Sequence, residues 1–261
     1  MKKIKIKCPA KINLDLKVSP LNKETGFHEI KSIMQSISLF DYLTINLTSA
    51  KEIKLSGTSN EIPYDENNLC YKASELFFKN IKYDYGCEIY IEKNIPIAAG
   101  LAGGSTDAMG VLYGLNKLFN QPLDEIQLNN LAITLGSDLN FCFVGGTKLC
   151  CGRGEKITEL PFEDFILSLI KPKNFGISAK CAYLAFDELK TTSNMKNDLE
   201  FALLQTGKYP ELEYLTSLGL QMSGSGPTYF LKGKNIDFLI DKNKYLIIND
   251  LHSINHGVIE V

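Results

Sequence analysis

The first residues alternate strictly. From Lys3 to Cys8 apolar and polar side chains take turns, the period of two that marks a strand. Pro9 interrupts the pattern, which resumes to Leu16, so a bulge or a fresh strand start is expected there. On the resumed stretch Lys11, Asn13 and Asp15 share one face and Ile12, Leu14 and Leu16 the other. Alternation predicts further strands over 42–47, 52–55 and 87–93. Spacings of three and four predict helices instead: over 69–79, from the small-residue loop to Phe119, and over 124–135, with Gly136 as the C′ residue of the last. The strand over 148–151 and the turn Gly152-Arg153-Gly154-Glu155 come next, then a linker over 160–163. A new pattern follows: a strand over 165–171, helices over 179–189, 199–204 and 211–218, a strand over 228–232, a helix over 236–241 and a strand over 245–249. The chain therefore divides into an N-terminal domain, 1–158, and a C-terminal domain, 159–261, the latter a small α+β sandwich.

Composition narrows the partners. The net charge is -2 and the only arginine is Arg153, which argues against nucleic acid and against a strongly anionic membrane surface. Arginine-rich phosphate recognition is therefore excluded, and a phosphate site is expected to use backbone N–H groups, hydroxyls and lysines. No stretch reaches the roughly 18 apolar residues of a membrane span. MKKIKIK begins like a leader, but no apolar run of about 7–15 residues follows, so no signal peptide is expected. Seven cysteines without a C-x-x-C pair read as reduced thiols of a cytoplasmic protein rather than a zinc site.

Chemistry concentrates between Asn94 and Gly114, NIPIAAGLAGGSTDAMGVLYG. Small residues fill the loop 98–104 except Leu101, and Ser105, Thr106 and Asp107 open the helix behind it. A helix N-terminus has unpaired N–H groups and partial positive charge, and glycine lets a ligand approach the main chain. Loop and helix end together form a phosphate site; a tight turn with a serine N-cap is the plainer alternative. Neither G-x-x-x-x-G-K-[ST] nor G-x-G-x-x-G is present. Asp138, ahead of an apolar run, is solvated, caps the next turn, or pairs with a cation. The Lys11–Asn13 face is either solvated or turned into a cleft. Phe27 and His28 could stack on and hydrogen-bond a flat heterocycle. A second Gly/Ser loop, Gln221 to Pro227, is consistent with a nucleotide gripped from two sides.

Taken together, PAKINLDL, IPIAAGLAGGSTDA and MSGSGPT resemble the three motifs of the GHMP small-molecule kinases, in order. In detail the chain resembles the 4-diphosphocytidyl-2-C-methyl-D-erythritol kinase family. The matching motifs are PAKINL at Pro9 to Leu14, G-F-H at Gly26 to His28, N-L-x-x-K-A at Asn68 to Ala73, L-G-S-D at Leu135 to Asp138, G-x-G-E at Gly152 to Glu155 and N-D-L-E at Asn197 to Glu200. The resemblance implies an α+β, two-domain fold: an N-terminal ribosomal-protein-S5-domain-2-like domain and a C-terminal ferredoxin-like α/β sandwich. It implies ATP-dependent transfer of the γ-phosphoryl group to the acceptor's 2-hydroxyl in isoprenoid precursor synthesis, with ATP and Mg²⁺.

By the same resemblance Lys11 and Asp138 are the catalytic pair, with Asp138 either accepting the substrate proton or orienting the hydroxyl. Asn13 would hold the acceptor. Phe27 and His28 would bind cytosine, with Tyr183 or Phe186 as the second ring. Asn68 and Lys93 would lie near the adenosine. Pro96, Ala99, Gly100, Leu101, Ala102, Gly103, Gly104, Ser105 and Thr106 would wrap the triphosphate, and Ser105 or Thr106 would offer the metal a hydroxyl. The partner implied is a cytidine-diphosphate-linked polyol, with neither nucleic acid nor membrane, in a monomer or homodimer. Ala102 stands where the family usually has glycine, and Asn140 where it usually has proline. Two rival readings are a homoserine- or mevalonate-type kinase, which would have no base to stack on Phe27 and His28, and a non-catalytic nucleotide-binding protein on the same fold.

Overall fold

The computed structural model describes residues 2–83, 86–189, 194–233 and 240–261. The alternating N-terminus forms β1 (Lys3–Asn13), and its register against β3 shifts between Pro9 and Ala10, where proline was expected to break the pattern. After β2 (Lys17–Val18), β3 runs from Ile30 to Thr48. It is far longer than the strand expected over 42–47, because Met34 to Ile37 are all buried, so both faces are covered there and simple alternation is lost. Next come β4 (Ile53–Gly57), α1 (Leu69–Ile81) and β5 (Gly86–Glu92). β4 lies parallel to β5.

Helix α2 (Gly103–Leu118) follows the small-residue loop, then α3 (Glu125–Leu135) and α4 (Leu139–Val144). Asp124 caps α3 by a full capping box with Gln127. Two local expectations fail. Serine does not cap α2: the N-cap is Ala102, and Ser105 lies inside the first turn. Gly136 is not a left-handed C′ glycine, since its φ of 172° is extended backbone. Strands β6 (Thr147–Gly152) and β7 (Lys156–Glu159) complete a hairpin on β3.

The second unit contains β8 (Ile166–Pro172), α5 (Ala179–Asp187), α6 (Asp198–Gln205), α7 (Pro210–Ser217), β9 (Gln221–Met222), β10 (Tyr229–Lys232) and β11 (Tyr245–His252). The helix expected over 236–241 lies, but for its last two residues, outside the described residues. The last strand, β12 (Ile259–Glu260), returns to the first sheet and pairs with β1. The result is an eight-stranded sheet with the main path β12-β1-β3-β5-β4 and a four-stranded antiparallel sheet ordered β11-β8-β10-β9.

Three large apolar clusters hold these layers, beside a small fourth one of Met34, Phe141 and Cys150. One packs α1 to α4 on the large sheet, and one packs α5 to α7 on the small sheet. The third joins the two sheets through Ala10, Ile12, Ile37, Leu169 and Phe230, and it also takes in Ala99 and Leu101 from below the small-residue loop. That loop is therefore fastened to the seam between the sheets rather than hung over solvent. Helix α2 lies so close to the sheet that a β-carbon on Gly110 would come within 2.5 Å of Cys8 Sγ and 2.9 Å of Leu43 Cδ1. Ala102 enters the helix with φ 58°, a left-handed conformation that costs a non-glycine residue roughly 1–2 kcal/mol.

Gly110→Ala is expected to destabilise the protein by about 1–3 kcal/mol through overpacking, read as a lowered denaturant midpoint. Ala102→Gly is expected to do the opposite, stabilising the protein by about 0.5–1 kcal/mol as the left-handed strain is relieved, read as a raised midpoint.

Candidate active site

Residues 96–104 curl around a cavity of about 360 Å³, whose far wall is Ile62, Pro63, Asn67, Asn68 and Leu69. Positive φ recurs at every second residue, Ala98 (49°), Gly100 (74°) and Ala102 (58°), a backbone form that turns N–H groups toward a common concavity. No side chain caps α2, so the N–H groups of its first turn remain open to an anion. Ser105 is half-buried in that turn, whereas Thr106 is fully buried and its hydroxyl has no hydrogen-bond partner. Of the two hydroxyls named from the sequence, only Ser105 belongs to a residue that is partly exposed. Asn68 caps α1 by accepting from Cys70 N (2.9 Å), donates to Pro63 O (2.6 Å) and lines the cavity.

Lys93 also lines the cavity, but its ammonium is already engaged by Asp41 and by Asp107 Oδ2 (2.8 Å). Burial opposes the charge on Lys93, yet the two carboxylates outweigh it and hold its pKa above the ordinary lysine value. Burial pushes the Asp107 carboxyl up, and Lys93 only partly restrains it. Asp41 is buried, and its second oxygen accepts from Asn94 N (2.6 Å) and Ile95 N (2.8 Å), so it shapes the entry to the phosphate loop. Sequence reasoning passed over both aspartates. The signal for Asp41 was a lone carboxylate inside a strand otherwise rich in apolar residues.

The structure brings Lys11 and Asp138 together. Lys11 Nζ lies 3.6 Å from Asp138 Oδ2 and 2.6 Å from Asn13 Oδ1. Only 5% of the Lys11 side chain is exposed against 28% for Asp138, so the carboxylate is the member that faces a ligand. Asp138 stands at the N-cap position of α4 and makes no capping bond, leaving its oxygens for Lys11 and for whatever enters. Asn13 is fixed from the other side, donating to Ser32 Oγ (2.8 Å), which itself donates to Asp15 O (2.5 Å). Asn140 points away from this group and donates to Asn129 on α3.

The second Gly/Ser loop closes over the pair. A β-carbon on Gly224 would lie 3.2 Å from Lys11 Nζ and 3.1 Å from Gly100 O. Ser223 Oγ donates to Gly100 O (3.0 Å) and accepts from Asn13 N (3.3 Å). The N-D-L-E motif is the mounting for this loop. Asn197 caps α6 through Leu199 N and Glu200 N while its amide donates to Met222 O (3.0 Å) and Gly224 O (2.8 Å). Glu200 accepts from Met222 N (3.1 Å) and Thr216 Oγ1 (2.9 Å), with its pKa raised by burial despite those bonds. Asp198 pairs with Lys17 (2.9 Å) and accepts from Val18 N (3.0 Å), tying α6 to the N-terminal segment.

Aromatic groups gather on the opposite side of Asp138. His28 stacks on Tyr183 (centroids 5.0 Å apart, 28° between planes) and meets the edge of Phe186 at 5.9 Å. Its Nδ1 lies 2.9 Å from Ser19 O, and its Nε2 lies 3.5 Å from Asp187 Oδ1. Burial first and the Asp138 carboxylate second push the Tyr183 phenol up to about 12. Phe27 is 47% exposed, and the Arg153 guanidinium carbon lies 3.8 Å from its ring centre. All seven cysteines are free thiols, and no described helix is long and apolar enough to cross a membrane.

Residues 68–146 match the model of the GHMP kinases N terminal domain. A 4-diphosphocytidyl-2-C-methyl-D-erythritol kinase of Clostridium beijerinckii is 41% identical over 254 residues, covering 87% of this chain and 90% of the relative. One of Clostridium perfringens is 37% identical and covers 97% of this chain and 99% of its own. Among solved structures, a 4-(cytidine 5'-diphospho)-2C-methyl-D-erythritol kinase superposes with a TM-score of 0.77 at 27% identity, covering 96% of this chain and 100% of the other. A homoserine kinase from Cytophaga hutchinsonii shares the fold at a TM-score of 0.72 with 16% identity. The anion cradle, the buried lysine facing a carboxylate and these relatives agree, and the chain belongs to the 4-diphosphocytidyl-2-C-methyl-D-erythritol kinase family of GHMP kinases.

Proposed function

We propose that the chain transfers the γ-phosphoryl group of ATP to the 2-hydroxyl of 4-diphosphocytidyl-2-C-methyl-D-erythritol, releasing ADP, in a step toward isoprenoid precursors. The observation that carries this reading is the Lys11–Asp138 pair, 3.6 Å apart and beside the phosphate loop, in a chain of this family. ATP would place its triphosphate along residues 96–105, with the base end toward Asn68 and Leu69. The loop N–H groups and the uncapped end of α2 would hold the phosphates. Lys93, locked between two carboxylates, acts in this scheme as a strut for the loop more than as a free cation for phosphate.

Phosphoryl transfer needs alignment and charge stabilisation more than covalent help from the protein. Asp138 would accept the hydrogen bond of the attacking hydroxyl and aim it in line with the γ-phosphorus. Lys11, held by Asn13, would stabilise charge on the transferring group. Magnesium fits this site as an ion carried with the nucleotide, where it supplies charge neutralisation on the phosphate oxygens. Among the described residues no group of three acidic, His or Cys side chains could hold a metal by itself, and Ser105 is the hydroxyl at hand. On the acceptor side His28 and Tyr183 would take the cytosine, with Phe27 flanking.

A coupled ADP-release assay with the cytidylylated acceptor, mevalonate and homoserine side by side should show turnover with the first alone. Asp138→Ala and Lys11→Ala are each expected to lower kcat at least ~10²-fold with circular dichroism unchanged, and near-normal turnover in either removes the pair from the chemistry. Phe27→Ala should raise KM for the acceptor and leave KM for ATP nearly as it was. An equal rise in both would show that the ring serves no separate base pocket.

A further inference from the structure

Among the described residues the only arginine of the chain has the Phe27 ring, and no carboxylate, as the partner of its charge. Arg153 sits on the tight turn between β6 and β7. Its guanidinium carbon lies 3.8 Å from the centre of the Phe27 ring, a cation–π contact that uses none of its hydrogen-bond donors. Among the described residues no carboxylate stands within ion-pair distance of it, and its buried Nε finds no acceptor. The neighbouring Glu155 does not neutralise it, because that carboxylate accepts the backbone N–H of Arg153 (2.6 Å) instead.

The position of the turn is as telling as its charge. Gly152 pairs in register with Ile30, two residues beyond His28. A β-carbon on Gly154 would lie 2.8 Å from the carbonyl oxygen of Ser137, next to Asp138. Arg153 therefore stands between the aromatic group that would take the base and the carboxylate that would take the hydroxyl. An acceptor built as base, diphosphate and polyol must carry its diphosphate across that interval. A planar guanidinium binds phosphate oxygens through paired N–H donors, and an orphaned donor gains most from an arriving acceptor.

We propose that Arg153 is a specificity-determining residue that grips the diphosphate of the acceptor, so that nucleoside-diphosphate-linked alcohols are favoured over neutral ones. This rests on the acceptor assignment given above. Phe27 has a double duty in it: one face steadies the guanidinium, and the ring flanks the base.

The test is isothermal titration of the full chain with cytidine and with CDP, the donor site saturated by a non-hydrolysable ATP analogue. Wild type should bind CDP roughly 10- to 100-fold more tightly than cytidine. Arg153→Ala should erase that ratio while leaving cytidine affinity in place, and Arg153→Lys should keep part of it. If Arg153→Ala weakens both ligands by the same factor, the residue merely props Phe27 and the proposal fails while the acceptor assignment stands. A wild type that binds both equally also overturns it. A wild type that binds neither overturns the proposal and the acceptor assignment together.

Discussion

A single buried hydroxyl joins the three segments on which the site depends. Ser223 Oγ takes the backbone N–H of Asn13 and gives its hydrogen to Gly100 O. In this way β1, the phosphate loop and the second Gly/Ser loop are fixed to one point. Steric closeness enforces the same seam, since a β-carbon on Gly100 would lie 2.2 Å from Ser223 O. Such bonds are individually worth about 0.5–1.5 kcal/mol, but a buried group left unpaired costs about 1–3 kcal/mol. The seam therefore holds because breaking it strands several backbone groups away from water. Asn197 and Glu200 secure the outer side of the second loop by the same logic.

Two buried lysines in the same region have opposite circumstances. Lys93 is bracketed by Asp41 and Asp107, and its charge is spent inside the protein. Lys11 meets one carboxylate at the looser distance of 3.6 Å, and that carboxylate is partly open. The first arrangement gives rigidity and holds the start of the loop through Asn94 and Ile95. The second leaves both partners able to exchange their contact for a ligand. Sequence spacing treats the two lysines alike; the number and burial of their acidic partners separates them.

Most elements were legible because their apolar spacing is local. The periods of α1, α3 and the first half of β1 are set by one buried face each, and the Asp124 cap is written in adjacent residues. What could not be read depends on distant partners. The earlier part of β3 was hidden because Met34 to Ile37 are buried on both faces, and β12 is two residues long and is defined only by its pairing with β1. Asp41 and Asp107 were missed because their function lies in meeting Lys93 across more than one element. Lys11 and Asp138 are far apart in the chain, and only a family resemblance suggested the pairing that their positions in space display.

In the proposed scheme the two ends of the cleft use different chemistry. The donor end is built from main chain: alternating positive φ values, an uncapped helix and a loop anchored by Ala99 and Leu101 to the apolar seam between the sheets. Backbone recognition tolerates change in side chains, which is why alanine can stand at position 102 at the cost of some strain. The acceptor end is built from side chains whose rings and charges must keep their identity: His28 on Tyr183, Arg153 on Phe27, Lys11 on Asp138. Discrimination between substrates follows from side chains, because only they leave a specific polar group unpaired when the wrong molecule binds. In the proposed scheme the backbone of the fold would hold the phosphates, and a small set of residues around Asp138 would decide which hydroxyl comes to it.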